Sequence, residues 1–383
     1  MKIKICQQIE QIDAGQWNAL VKDNNPFIRH EFLKALEDND CVGERFGWLP
    51  MHIAIYDGDQ LVGAMPLYEK YNSYGEFVFD HAWADAYQRH GFAYFPKLVT
   101  AVPYTPAQGQ RMLAAAAQQP QVYQIMLQTM VEIAKQRQCS SYHCLFPEHN
   151  EWQWQQQNGL FARYDCQFHW HNQSYRDFDD FLGRMSSRKR KNIRKERESV
   201  RQAGISFRVL NGHQASHTDW KDFTRFYINT FEEKWGTPTL NQAFFQQVAQ
   251  NLPDAIVLVL ADKMINTQMQ CIAGALMYRS DTSLYGRFWG CDEGVEHLHF
   301  EACYYQGIDY CIQHGLQKFE PGAQGEHKIS RGFIPQLTRS SHLLFNSAFQ
   351  QPVLDYVERE HQGVLHYIQQ MQQKIPYKKE SSS

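Results

Sequence analysis

At 383 residues the chain is long for one domain, and two packed units are the natural expectation. A hydrophobic fraction of 43% and a charged fraction of 21% are those of an ordinary globular protein. The net charge of −3 gives no bulk attraction to nucleic acid, so any such role must come from a local patch.

MKIKICQQIEQIDAG lacks the apolar run of a secretion signal, and no uninterrupted apolar span approaches the roughly 20 residues of a membrane helix. The 9 cysteines are scattered and odd in number, which fits buried free thiols better than a disulfide framework. A soluble, cytoplasmic protein is the expectation.

The chain opens with a short strand, Ile3 to Cys6, then helical patterning around Trp17, Leu20, Val21, Phe32 and Leu36. MHIAIY and LVGAMPLYE flank Asp57-Gly58, a strong hairpin signal. GEFVFDHAWADAY then clusters Asp80, His81, Asp85 and Tyr87. The strand YFPKLVTAVPY runs into TPAQGQRMLAAAA, which the pattern turns helical at about Gln110. A helix from Val122 to Arg137 leads to a strand in SSYHCLFP.

FDDFLGRMSSRKRKNIRKERESVRQAGI reads as a basic helix stopping at Gly204. It leads to a strand (Ile205 to Leu210) and helices around Trp220 to Thr230 and Gln242 to Gln250. IVLVLADK and CIAGALMYRS form a second hairpin, SLYGRFWG a strand, and LHFEACYYQGIDYCIQHGL a helix. The order hairpin, strand, helix, strand repeats that of the first half and suggests two copies of one mixed α/β unit. The tail turns helical from Gln351 to Gln373 and ends in a frayed KKESSS.

Four motifs carry possible chemistry. VPYTPAQGQRML is a Gly-bearing loop that can cradle a pyrophosphate if it opens a helix, or an ordinary turn if it does not. The basic stretch Arg188 to Arg201 is either a solvated connector or a phosphate holder through Arg188, Lys191, Arg194 and Lys195. His297, His299 and Glu301 lack a second His or Cys pair at metal-like spacing, so no metal is expected. EPGAQGEHKISRGF crowds Gln324, Glu326, His327, Lys328 and Arg331 onto one Gly-flanked loop, and His327 is its best general base.

The phrases FDHAWADAY, SRKRKNIRKERESV, LYGRFWG, LHFEACYYQGIDYCI and EPGAQGEHKISRGF resemble a family of N-acyltransferases. That family is related to the GNAT superfamily and to the Fem peptidoglycan aminoacyltransferases. The resemblance implies an α/β fold with two GNAT-like units in tandem. It divides the chain into 1–180, a basic connecting helix 181–204, 205–350, and a C-terminal helix and disordered tail 351–383.

The implied activity is transfer of an acyl group from acyl-CoA to an amine. Two alternatives stand beside it: aminoacyl-tRNA-dependent transfer to a peptide or cell-wall precursor, and a non-catalytic recognition module. Thr105, Gln108, Gly109, Gln110 and Arg111 match the loop that cradles the CoA pyrophosphate, although a typical loop carries more glycine. The basic helix Arg188 to Arg201 is the candidate contact for tRNA. His327 is assigned as base with Glu301 or Glu326 as partner, and Arg287, Lys328 and Arg331 as substrate-holding cations. In the first unit, Asp80, His81 and Asp85 are candidates to hold a cationic amine.

Overall fold

A computed structural model describes residues 1–233, 236–292, 294–323 and 325–378. Gln324 and the last five residues of the tail lie outside the described residues. The fold is mixed α/β and divides into two compact units, one from Met1–Cys166 with Leu337–His366, the other from Gln167–Gln336 with the chain from Tyr367. The division falls inside two long strands, Phe161–His171 and Ile334–Leu344.

In the first unit, strands His52–Asp57 and Gln60–Met65 form the expected hairpin, and Gly58 takes the left-handed turn position. Lys2–Cys6 pairs on one side of it and Leu113–Ala114 on the other. The inward residues Ile53, Ile55, Val62 and Met65 share a core with Val122, Met126 and Met130 of helix Gln119–Gln136. That helix connects strands Lys97–Thr100 and Ser141–Leu145, which pair in parallel, as a crossover connection requires.

The second unit repeats this order. Hairpin Ile256–Ile265 with Gln268–Arg279 precedes strand Ser283–Cys291, which pairs in parallel with Lys318–Glu320. The connection is helical from Leu298 to Gln313 and contains one π-turn, Glu301–Tyr305. Helix His217–Glu232 begins at a capping box between Ser216 and Asp219. Its apolar face (Phe223, Phe226, Tyr227) meets Phe245 of helix Gln242–Asn251 and Phe288 of the sheet.

One element departs from its sequence pattern. TPAQGQRMLAAAA does not become helical at Gln110; the helix begins at Gln119, with Pro120 in its first turn. Leu113 and Ala114 are drawn into the sheet against Ala64 and Gly63, and pairing overrides the helical preference of the alanine run. The basic segment likewise forms two helices, Phe178–Gly183 and Ser187–Gln202. The second ends before Gly204, whose φ of +75° suits glycine.

Candidate active site

Ligands of sheets with parallel strands bind beyond the carboxyl ends of those strands. Among the described residues each unit shows one such pair of strands, and the two are finished differently.

In the first unit the chain after Thr100 folds back over that end and fills it. Gly109 donates to the carbonyl of Phe146 at 3.1 Å and accepts from Glu148 N–H at 3.0 Å. Arg111 is 1% exposed, and its guanidinium donates to the carbonyls of Leu145, Ala107 and Gln110 at 2.7–2.9 Å. Its own N–H and that of Met112 go to the Glu151 carboxylate. The Gln110 amide bonds the backbone of Lys22 and Leu20, and Thr105 bonds the carbonyl of Pro103. Gln108 sits half-buried among them. A side chain at Gly109 would strike the Asn25 amide at 2.7 Å. A pyrophosphate cradle needs open N–H groups at a helix start and an available cation, and this loop offers neither. Thr105, Gln108, Gly109, Gln110 and Arg111, expected as a CoA loop, lie in a segment held by its own backbone and neighbours, with the next α-helix starting only at Gln119.

Asp80, His81 and Asp85 do not converge either. Asp80 is buried against Lys97 and accepts from the Tyr94 hydroxyl, and Lys97 also meets Glu76 at 2.9 Å. Burial pushes the Asp80 carboxyl up, but the Lys97 ammonium outweighs it and holds the group below the usual carboxylate range. Its cation is already in place. His81 and Asp85 are exposed on helix His81–Arg89, where His81 stacks on Phe79.

In the second unit the same position is open. Strand Ser283–Cys291 pairs with its parallel neighbour only from Ser283 to Tyr285, so its later residues run past the pair. There they border a cavity of about 250 Å³ with Pro321 and Gly322 on the far side. Arg287, His327 and Lys328 line it, together with Tyr304, Cys303 and His299. No carboxylate stands among the described lining residues.

Lys328 is 2% exposed, and its ammonium donates to the carbonyl of Gly322 at 2.7 Å. Burial brings its pKa down to about 8. Burial likewise brings Arg287 down to about 10. The His327 pKa is lowered by burial first and then by the charges of Lys328 and Arg331, which favours the neutral ring. Its Nε2 lies 2.8 Å from the Tyr304 hydroxyl. Gly325 permits this placement, since its φ is +120° and a side chain there would meet the His327 ring at 2.5 Å.

The other candidates of this region lie elsewhere. Glu301 bonds Arg197 at 3.0 Å and Gln306 at 2.8 Å and lines a separate groove, so it is not the partner of His327. The π-turn separates the two sites, with Glu301 in the groove and Cys303 and Tyr304 in the cavity. Glu326 is exposed and pairs with Lys374 and the Tyr367 hydroxyl. Arg331 is buried, donates to the His327 carbonyl at 2.8 Å and to Glu196 at 2.9 Å, and covers the Phe300 ring. These contacts tie Arg331 to its own loop and to Glu196. The sequence reading missed Tyr304 and Cys303, and weighed His299 only as a metal ligand.

The groove, about 820 Å³, runs beside helix Ser187–Gln202 and is lined by Arg194, Lys195, Arg197 and Arg201. Arg188, Lys191, Arg194 and Lys195 are exposed, while Ile193 and Val200 anchor the helix on its buried side. Among the described residues, no group of three or more His, Cys, Asp or Glu side chains is placed to hold a metal ion, and no helix is long and apolar enough to cross a membrane.

Residues 8–379 match the FemAB-like family, described as peptidoglycan biosynthesis/recognition. The chain belongs to that family. No curated protein matches it. Among solved structures the FemAB-like chain is similar to FemX, with 10% identity, a TM-score of 0.57, and coverage of 92% of this chain and 100% of that one. It is also similar to the C-terminal domain of a putative lysylphosphatidylglycerol synthetase from Agrobacterium fabrum, with 9% identity, a TM-score of 0.54, and coverage of 89% and 94%. At such identities the likeness shows the fold, the Fem-type mixed α/β architecture expected from tandem GNAT-like units.

Proposed function

We propose that this FemAB-like chain is an N-acyltransferase that moves an aminoacyl or acyl group from a polyanionic carrier to an amine, with the second-unit cavity as its reaction site. The observation that carries this is the convergence of Arg287, His327 and Lys328 in one cavity with no described carboxylate in its lining. The amine nitrogen attacks the carrier's carbonyl carbon, and its proton passes to the neutral His327 ring. The carbonyl oxygen gains the negative charge, which the buried cations Lys328 and Arg287 stabilise far more than water would. The tetrahedral intermediate then expels the carrier's oxygen or sulfur. The proton held by His327 reaches that leaving group through the Tyr304 hydroxyl. No covalent enzyme intermediate is required, and Cys303, whose thiol burial pushes up, stays protonated.

The carrier this reading favours is an aminoacyl-tRNA. The first unit's loop is occupied by its own backbone contacts, and helix Ser187–Gln202 keeps a run of exposed cations. The acceptor that fits the family is the amine of a peptide or cell-wall precursor. Binding titrations with charged tRNA and with acyl-CoAs, each followed by a transfer assay, test the reading. Transfer from tRNA supports it. Transfer from acyl-CoA alone moves the donor assignment, and binding without turnover points to a recognition module.

A further inference from the structure

The reaction cavity carries more positive charge than acyl transfer alone requires. Among its described lining residues the formally charged side chains are the two cations Arg287 and Lys328. The acidic residues closest to it in the chain are committed to other cations: Glu301 to Arg197, Glu320 to Lys318 and Glu326 to Lys374. A tetrahedral oxyanion offsets one of the two charges. The other is left for a second anionic group on a substrate.

Arg287 is the more reachable cation, half-buried where Lys328 is 2% exposed. On the neighbouring strand Met277 pairs with Gly286 and Leu276 with Phe288, so Arg287 is the extra residue of a β-bulge. Bulges re-aim a side chain and are frequent beside active sites. The guanidinium lies over the Phe288 ring, 5.1 Å from its centroid, and both residues line the cavity. Trp289, His299 and Tyr304 add a connected wall of rings, with His299 5.4 Å from Trp289 and 5.3 Å from Tyr304 between centroids.

A plain ammonium entering this cavity meets two like charges. An amine with a carboxylate on its own carbon enters as a neutral zwitterion instead, and its carboxylate matches the guanidinium fork. The two cations then favour loss of the amine proton to His327, which yields the nucleophile. The carboxylate and the developing oxyanion match Arg287 and Lys328 one for one.

We infer that the acceptor is an α-amino acid end, an amine and a carboxylate on one carbon, with the carboxylate taken by Arg287 and the adjoining carbon chain lying against Trp289 and His299. This names the acceptor class of the transferase reading and rests on it. A cavity of about 250 Å³ has room for such an end, whether it belongs to a free amino acid or to a peptide side chain.

The experiment is calorimetric titration of the full chain with two pairs of amines, each followed by a transfer assay with charged tRNA and with acyl-CoA. L-phenylalanine is set against its amide, and Nα-acetyl-L-lysinamide against its analogue with a carboxylate on the ε-carbon. The expected result is at least about tenfold tighter binding of the carboxylate-bearing member in one pair, which also assigns the acceptor to a free amino acid or to a peptide side chain. Arg287→Gln should abolish that preference, and Arg287→Lys, which keeps the charge but not the fork, should retain part of it. The wild-type comparison stands even where a variant does not fold. Preference in binding without transfer to any of the four amines keeps Arg287 as a carboxylate site and removes the transferase reading. Transfer at equal rates within both pairs keeps the transferase reading and overturns the inference. No binding of any of them at millimolar concentration, or an undiminished preference in a folded Arg287→Gln, overturns it as well.

Discussion

The hydroxyl of Tyr304 lies 2.8 Å from Nε2 of His327 and fixes the direction of the one imidazole that the loop Glu326–Arg331 brings to the cavity. The two residues come from the π-turn and from the loop after the parallel strand, so the hydrogen bond also ties those segments together. Tyr304→Phe removes one oxygen and little volume. It should lower kcat about a hundredfold with KM nearly unchanged, because a proton relay acts in the transition state rather than in binding. Steady-state kinetics on the purified variant decide this.

The His327 ring titrates below the usual imidazole value, through burial first and then the charges of Lys328 and Arg331. The acid limb of the kcat/KM profile should therefore have its midpoint below about 6.5. Lys328→Met removes one of those charges, so the limb of its residual activity should move up. A limb that moves down contradicts the assignment of His327 as base.

Lys328 makes a prediction on stability as well. Its folded pKa of about 8 lies below the ordinary lysine value of 10.5. Between those values the unfolded chain binds the extra proton, so stability rises with pH across that window. At pH 7 the buried ammonium costs the fold up to about 3 kcal/mol. Lys328→Met should raise the melting temperature at pH 7 while removing most turnover. The gain should shrink above pH 8 and vanish near pH 10.5. Unfolding curves at a series of pH values check both parts.

The repeated order of elements was legible because each unit carries its own hairpin signal and its own strand, helix, strand run. The discontinuity of the units was not. Leu337–His366 packs with the first unit through residues such as His342, 2.6 Å from His143, and no local pattern announces a partner so distant in sequence. In the site, His327, Lys328 and Arg287 stood out as ionisable groups beside glycine. Tyr304 was hidden in the apolar stripe Phe300, Tyr304, Gly307, Ile308, and only the π-turn turns its hydroxyl to use. Arg111, two residues after Gly109 and following a strand, has the composition of an anion loop, and its contacts with three carbonyls are not visible in that pattern.

Arg111 and Arg331 should therefore behave as structural residues. Arg111→Met leaves the carbonyls of Leu145, Ala107 and Gln110 without their donor, and stability should drop by about 2–5 kcal/mol. Arg331→Ala takes the cation from Glu196, which keeps only the Tyr305 hydroxyl, and should cost about 2–4 kcal/mol. Neither should change donor affinity in the fraction that remains folded. Chemical denaturation and donor titration, run on the same samples, measure the two effects separately.

The exposed helix cations predict the opposite pattern. Replacing Lys191, Arg194 and Lys195 together by Gln should leave stability nearly unchanged. Affinity for charged tRNA should weaken at low salt, and the slope of log K against log salt should fall by about 0.7 for each phosphate that the helix no longer neutralises. An unchanged slope removes this helix from the donor site.

The most direct test of the reaction cavity is single-turnover transfer of a labelled amino acid from charged tRNA to a peptide amine, comparing wild type with Lys328→Met. The prediction is transfer by the wild type and a rate lower by about a hundredfold or more in the variant, with its fold intact and its tRNA affinity kept. Transfer by Lys328→Met at the wild-type rate would place the chemistry outside this cavity.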